Sequence, residues 1–182
     1  MAVKVATYEQ LALEDPSGKW ELVNGHVRKK PPMTMEHNRA GFELAFAIRS
    51  QVTDAEFDVR SDSGRLRFAG SYFVPDVFVV PASTAAQFEG SPALEAYTEP
   101  VPFVAEVWSP STGDYDLGEK LTAYQARGDA EIWLVHPYER WVRAFVRRPD
   151  GSYEERALTE GTIELTSLPG VRVELQRLFA RR

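Results

Sequence analysis

Apolar residues along the chain gather in short blocks set apart by glycine, proline and polar punctuation. Three blocks are nearly unbroken: "YFVPDVFVV" from Tyr72, "PFVAEVW" from Pro102 and "AEIWLVHP" from Ala130. Unbroken runs of this length suit strands buried on both faces. Two longer stretches carry the helical period. Residues 34–51 place Phe42, Leu44, Ala45, Phe46 and Ile48 on one apolar face. Residues 114–127 place Leu117, Leu121 and Tyr124 on another, with Gly128 as the stop.

Hairpins are predicted in three places. "KWELVNGHVRK" turns at Asn24-Gly25, a pair suited to a type I′ turn. "EFDVRSDSGRLRFAG" turns at Asp62-Ser63-Gly64, and "RWVRAFVRRPDGSYEERAL" at Pro149-Asp150-Gly151. A short helix over Tyr8 to Glu14 is expected behind the capping box Thr7-Tyr8-Glu9-Gln10, ended by Pro16, Ser17 and Gly18. Pro31-Pro32 break the chain, residues 81–100 read as a loop with room for one short helix, and Ser109 to Gly113 read as a turn. A last strand and short helix fall in "GVRVELQRLFARR".

The strand–helix–strand unit from Phe103 to Val135 predicts a right-handed crossover between parallel neighbours. The hairpins are antiparallel. The sheet is therefore mixed, with helices packed on it: an α/β domain (α+β mixed sheet flanked by helices). No repeat, low-complexity tract or linker divides residues 1–182, so a single domain is expected.

Composition narrows the function classes. The 182 residues are 43% apolar and 26% charged, as in an ordinary globular domain. No stretch has the apolar length of a membrane span, and the N-terminal residues lack the apolar core of a secretory signal. There is no cysteine, which excludes disulfides and thiolate zinc sites and fits a cytoplasmic protein. The net charge of -6 argues against coating nucleic acid by bulk electrostatics. An enzyme whose acidic site is neutralised by a divalent metal, with basic residues gathered locally, stays compatible with it.

Two acids break the apolar runs. Glu106 lies inside "FVAEVW", and Asp76 follows Pro75 in "FVPDVFVV". A lone ionised carboxylate is costly to bury unless something pairs with it. Side chains alternate along a strand, so Glu106 shares a face with Val104 and Trp108, and Asp76 with Val74 and Phe78. If the two strands are neighbours, the acids stand side by side. Such a pair either shares a proton or binds a cation, and hard divalent ions such as Mg²⁺ favour oxygen ligands. Lys120 lies at the margin of the apolar arc of its helix, near enough to the start to reach both carboxylates.

A proline-aspartate at one strand, an acid on the next and a lysine after it resemble the PD-(D/E)XK nuclease superfamily. More narrowly, the chain resembles the Uma-type (Uma-two) family of restriction endonucleases. The resemblance is carried by "WELVNGHV", "PPMTMEHN", "VPDVFVV", "FVAEVWSPSTGDYDLGEKLTAYQARGDAEIWLVHP" and "LPGVRVELQRLF", which together span most of the chain. It implies a restriction-endonuclease-like core with added β-hairpins and Mg²⁺-dependent cleavage of DNA, with Mn²⁺ as a possible substitute. It also implies Asp76 and Glu106 as metal ligands, the Val107 carbonyl as a further ligand and Lys120 as the catalytic lysine. Glu21 and His37 match two more polar positions and are site-lining candidates. One departure stands out: two residues past the glutamate, where the superfamily has its lysine, this chain has Trp108.

Structural explanations compete at several of these positions. Asp76 has the option of simply ending or bending an edge strand. Asp116 and Lys120 are spaced as an ordinary helix-surface ion pair. Tyr124 reads as core, and Glu21 as a cross-strand partner for Arg28, Lys29 or Lys30. His26, His37 and His136 are too scattered for a zinc motif, and Ser109 lacks the glycines of a nucleophile elbow. Trp141, Arg143, Phe145 and Arg147 share a strand face, suited to nucleic acid, to solvent or to a subunit contact. The leading expectation is a metal-dependent endonuclease acting on DNA as a homodimer. A catalytically inactive nuclease-fold module for DNA or protein binding is the alternative, and a glycosidase using two carboxylates is a third reading.

Overall fold

The computed structural model describes residues 2–111 and 115–180, except for the side chains of Asp116 and Leu117. In order the chain forms α1 (Val5–Glu14), β1 (Trp20–Val23), β2 (His26–Lys29), α2 (Met35–Arg49), β3 (Phe57–Ser61), β4 (Arg65–Phe68), β5 (Ser71–Phe73) and β6 (Val77–Pro81). There follow α3 (Ala82–Ala85), β7 (Ala96–Tyr97), β8 (Phe103–Val107), a π-helical turn (Asp116–Lys120) running into α4 (Leu121–Arg127), and β9 (Glu131–His136). The last elements are β10 (Trp141–Arg147), β11 (Tyr153–Leu158), β12 (Thr162–Glu164), β13 (Arg172–Glu174) and α5 (Leu175–Leu178).

A six-stranded sheet, ordered β11-β10-β9-β8-β6-β3, forms the centre. Strands β8 and β9 are parallel, as the crossover predicts, and β6 pairs antiparallel with β8. The sheet is mixed and covered on both sides, which is why its central strands read as unbroken apolar runs. Val77, Val79, Ala105, Val107, Trp133 and Val135 face α2 and the C-terminal elements. Phe78, Val80, Val104, Ile132 and Leu134 face α4 through Tyr124. A second sheet of five strands, ordered β2-β1-β5-β4-β7, stands beside it with α1 packed on Leu22 and Tyr72. Among the described residues no helix is long and apolar enough to cross a membrane.

The Asn24-Gly25 hairpin forms as predicted, with φ of 50° and 78° at its two turn residues. The hairpin at Pro149-Asp150-Gly151 also forms, and Gly128 stops α4 at a φ of 86°. Elsewhere the structure corrects the reading. Helix α1 begins at Val5, and its N-cap is Lys4, with no side-chain cap from Thr7. The segment around Asp62-Ser63-Gly64 is no hairpin: β3 pairs with β6 in one sheet and β4 with β5 in the other. Likewise "YFVPDVFVV" is two strands, parted at Val74 to Asp76 where Pro75 supplies no N–H to a ladder. Between β3 and β6 the chain thus crosses between the sheets twice, at Asp62 and again at Asp76, and the Asp62 N–H donates to the Asp76 carbonyl at 3.0 Å.

The apolar face of α2 also differs. His37, Ala40, Gly41, Leu44 and Ile48 are buried, while Phe42 and Phe46 are 65% and 60% exposed and stack on each other. The two phenylalanines lie on the opposite side of the helix from that stripe, and their hydrophobicity alone does not place them inside. Phe145, expected on an outer face with Trp141, is buried against the α4 side of the sheet. The predicted turn at Ser109 to Gly113 and the start of the helix at residue 114 fall partly on residues 112–114, outside the described residues.

Candidate active site

The site lies at the seam between the two sheets. Strands β6 and β8 pair Val77 with Ala105 and Phe78 with Val104, and continuing that register by one residue sets Asp76 opposite Glu106. Glu106 lies on the face of Val104 and Tyr124, whereas Asp76 sits just beyond the end of the ladder. Because the chain bends at Asp76, its side chain takes over where the ladder ends: Oδ2 accepts the Val107 N–H at 2.7 Å. His37 Nε2 lies 3.2 Å from the same oxygen. That imidazole is carried in the first turn of α2, whose N-cap Thr34 accepts the His37 N–H at 3.2 Å.

The other oxygen of Asp76 accepts from Lys30 Nζ at 2.5 Å. The same ammonium donates to Asp62 Oδ1 at 3.0 Å and to the Val74 carbonyl at 3.2 Å. Lys30 is held at the end of β2, its own N–H donating to the Lys19 carbonyl at 3.2 Å just before Pro31. Burial alone would push the Asp76 carboxyl up. The ammonium of Lys30, with His37 and Lys120 behind it, more than offsets burial and holds the group below the usual carboxylate range. Lys30 answers in the opposite direction: burial opposes its charge, and Asp76 raises it above the ordinary lysine range.

Glu106 is held from α4 and the turn before it. Lys120 Nζ donates to Glu106 Oε2 at 3.0 Å, and the Tyr124 hydroxyl donates to Oε1 at 2.6 Å. The spacing of four between Lys120 and Tyr124 puts both on one helix face. Lys120 also pairs with Glu21 Oε1 at 3.1 Å. Glu21 comes from β1 in the other sheet, accepts the Val74 N–H at 2.8 Å and receives the Tyr115 hydroxyl at 3.1 Å. Burial, then Glu106, raises Tyr124 well above the usual phenol range; burial, then Glu21, does the same for Tyr115. Both hydroxyls are therefore fixed as donors.

Asp76, Glu106, Glu21, His37 and Lys120 all converge, and every one of them is at most 3% exposed. Lys120 is buried in this cluster and does not lie on the solvent face of its helix; the Asp116 side chain lies outside the described residues. In this structure the counterions of the acids are lysines. Among the described residues, Glu21, Asp62, Asp76 and Glu106 meet Lys19, Lys30 and Lys120. Among the described residues no three His, Asp or Glu side chains form a ready metal-binding group. The donor set nevertheless suits a hard divalent ion, since Asp76, Glu106 and Glu21 offer oxygens alone. The His37 Nδ1 is buried with no hydrogen-bond partner among the described residues.

Other candidates find structural roles. Trp108 stacks on His136 with ring centroids 4.3 Å apart, and His136 Nδ1 accepts the Glu139 N–H at 3.0 Å. His26 is exposed at its turn, and Ser109 sits 3.1 Å from the Ser111 hydroxyl. Arg28 pairs with Glu119 at 3.2 Å and stacks on Tyr115, while Lys29 stacks on Trp20. Sequence reasoning missed the distinct place of Lys30, which it grouped with Arg28 and Lys29. No local signal set it apart, because its partners Asp62 and Asp76 lie far along the chain. A groove of about 490 Å³ lined by Lys19, Lys29, Lys30, Pro31 and Met33 opens beside it.

A family model, Uma2, described as "Putative restriction endonuclease", matches residues 5–180. The "Uncharacterized protein sll1609" of Synechocystis sp. (strain ATCC 27184 / PCC 6803 / Kazusa) is 28% identical over 124 residues, 67% of this chain and 68% of that protein. Among solved structures, "a putative nuclease belonging to DUF820 from Anabaena variabilis ATCC 29413" superposes with a TM-score of 0.71 at 18% identity. That match covers 88% of this chain and 89% of the other, and it shows a shared fold.

Proposed function

The chain belongs to the Uma2 family, and on that premise we propose that it is a cytoplasmic, Mg²⁺-dependent endonuclease that hydrolyses DNA phosphodiester bonds. The observation that carries the proposal is the burial of Asp76, at the end of the β6–β8 ladder, and of Glu106, on β8, in one cluster that also holds Lys120. Asp76, Glu106 and the Val107 carbonyl are the proposed metal ligands. A bound Mg²⁺ would lower the pKa of a water and neutralise phosphate charge, and Mn²⁺ would serve in its place. The protein's own groups do the rest. Val107 N–H and His37 fix one carboxylate, and Lys120 and Tyr124 fix the other. Lys120 is placed to orient the attacking water or to stabilise charge building on phosphorus. Glu21 ties that lysine to the second sheet. Lys19 and Lys29 along the neighbouring groove offer the DNA backbone basic side chains. Pooling that surface calls for a homodimer, and the exposed apolar residues of α2 are available for it. Sedimentation that finds only monomer counts against the dimer.

The test is divalent-metal binding by calorimetry together with plasmid nicking, on wild type, Asp76→Ala and Glu106→Ala, each checked for folding by circular dichroism. Binding and nicking lost together in both folded variants support the proposal. Lys120→Ala then separates chemistry from affinity. Wild type that binds no divalent ion at millimolar concentration overturns it. One observation favours a second reading, an inactive nuclease-fold module for DNA or protein binding. Both oxygens of Asp76 already accept from protein donors, and Trp108 is engaged with His136. Metal binding without nicking would support that reading.

A further inference from the structure

Lys30 is surrounded as a metal ion is surrounded. Its ammonium has three N–H donors, and three oxygens receive them: Asp62 Oδ1 at 3.0 Å, the Val74 carbonyl at 3.2 Å and Asp76 Oδ1 at 2.5 Å. Two carboxylates and a carbonyl are the ligand types that hard divalent ions take. These oxygens come from the two crossings between the sheets that flank β4 and β5, so the backbone fixes them. The lysine side chain is only 8% exposed, and that of Asp76 only 2%. At its base the lysine is tethered by the bond to Lys19 and followed by two prolines.

We propose that the Lys30 ammonium is a resident cation filling a second, oxygen-lined cation seat made by Asp62, Val74 and Asp76, so that the chain takes one fewer divalent ion than its oxygens can hold. Asp76 is shared: Oδ1 serves the seat, and Oδ2 accepts the Val107 N–H beside His37. With the lysine in place, a divalent ion entering the seat would meet a fixed positive charge at its centre. With the lysine gone, Asp62 and Asp76 are left in excess of positive charge, and a divalent ion is the natural replacement. In PD-(D/E)XK terms this makes Lys30 a positioning residue: it holds Asp76 for the ion shared with Glu106. That consequence rests on the proposed function, whereas the seat itself does not.

The experiment counts Mn²⁺ bound per folded chain, by calorimetry and by the electron paramagnetic resonance of the free ion, in wild type and Lys30→Met. The expected result is one more ion in the variant than in wild type. Adding Asp62→Asn should remove that extra ion, because the seat loses a charged ligand. A Lys30→Met chain that folds only when Mn²⁺ is present also supports the proposal, since the metal then replaces the lost ammonium. A folded variant with wild-type stoichiometry overturns it, and so does one that Mn²⁺ fails to refold. The proposed function is read from a different number, the wild-type count. A wild type that binds none, beside a variant that binds one, would sink the nuclease mechanism and leave the seat standing.

Discussion

Replacing Lys120 by methionine tests how the acids are held together. Methionine keeps most of the side-chain stem and removes the charge. The ammonium lies 3.0 Å from Glu106 Oε2 and 3.1 Å from Glu21 Oε1, so those oxygens are no more than about 6 Å apart. At an effective dielectric of about 20, two like charges at that distance repel by roughly 3 kcal/mol. Breaking a buried ion pair from one side costs about 3–5 kcal/mol by comparison with measured cases, which agrees in size. For a domain of this length each kcal/mol is worth about 2–4 °C, so the midpoint of thermal unfolding should fall by roughly 10 °C. The assay is circular dichroism melting in a chelator, so that no added cation replaces the lysine. Lys120→Met/Glu106→Gln should recover most of the loss, because one of the two facing charges is gone. A loss below about 1 kcal/mol refutes the reasoning, as does a double variant no more stable than the single one.

Gly41→Ala should have the opposite sign. The new methyl would stand 3.9 Å from the Val107 side chain, an ordinary contact, and alanine gains about 0.5–1 kcal/mol over glycine within a helix; a lower urea midpoint would show that α2 sits closer to β8 than this. Acidification offers a separate check. The folded Asp76 carboxyl lies below its unfolded value of about 3.9, so its contribution is full above that pH and is lost as pH falls through the folded value. Urea midpoints measured downward from about pH 5 should therefore drop more steeply in wild type than in Asp76→Asn, and equal slopes would contradict the assignment. Arg127→Ala should be among the most damaging substitutions outside the site. That guanidinium pairs with buried Asp129 at 3.0 Å and also donates to the carbonyls of Arg67, Tyr97 and Glu99, so a loss above about 3 kcal/mol is expected, with little recovery in Arg127→Lys.

The central strands were legible because burial on both faces leaves an unbroken apolar run, and the parallel crossover followed from one such run, a helix and another. Asp76 and Glu106 were legible for the converse reason: a charge inside such a run needs a partner. What stayed hidden depended on which strands pair. Asp62-Ser63-Gly64 has the composition of a hairpin turn, and local composition cannot tell a turn from a crossing between sheets. The same ambiguity concealed the break at Pro75, although proline's missing N–H pointed to it. Phe42 and Phe46 misled because hydrophobicity was weighed without the direction of the stripe through Ala40, Leu44 and Ile48. Lys30 was hidden most fully. Nothing in its spacing separates it from Arg28 and Lys29, and its partners Asp62 and Asp76 lie 32 and 46 residues away.

The site and the seam between the sheets are one set of groups. Glu21 is bound to the Val74 backbone in the chain's second crossing, and Asp76 completes the hydrogen bonding of β8 with its side chain. A substitution aimed at catalysis therefore also perturbs the joint between the sheets. Asp76→Ala removes a proposed ligand, strips Val107 of its acceptor and leaves Lys30 with a buried, half-compensated charge, so lost activity in that variant has two causes. Charge-matched pairs separate them. Asp76→Asn with Lys30→Met keeps an amide oxygen able to accept from Val107 and removes both opposed charges, and Glu106→Gln keeps an acceptor for Tyr124. A chain so altered that melts like wild type and has lost divalent binding would assign the loss to the ligands. If it melts far lower, the acids are first of all the joint, and their chemistry has to be read from metal affinity before nicking rates.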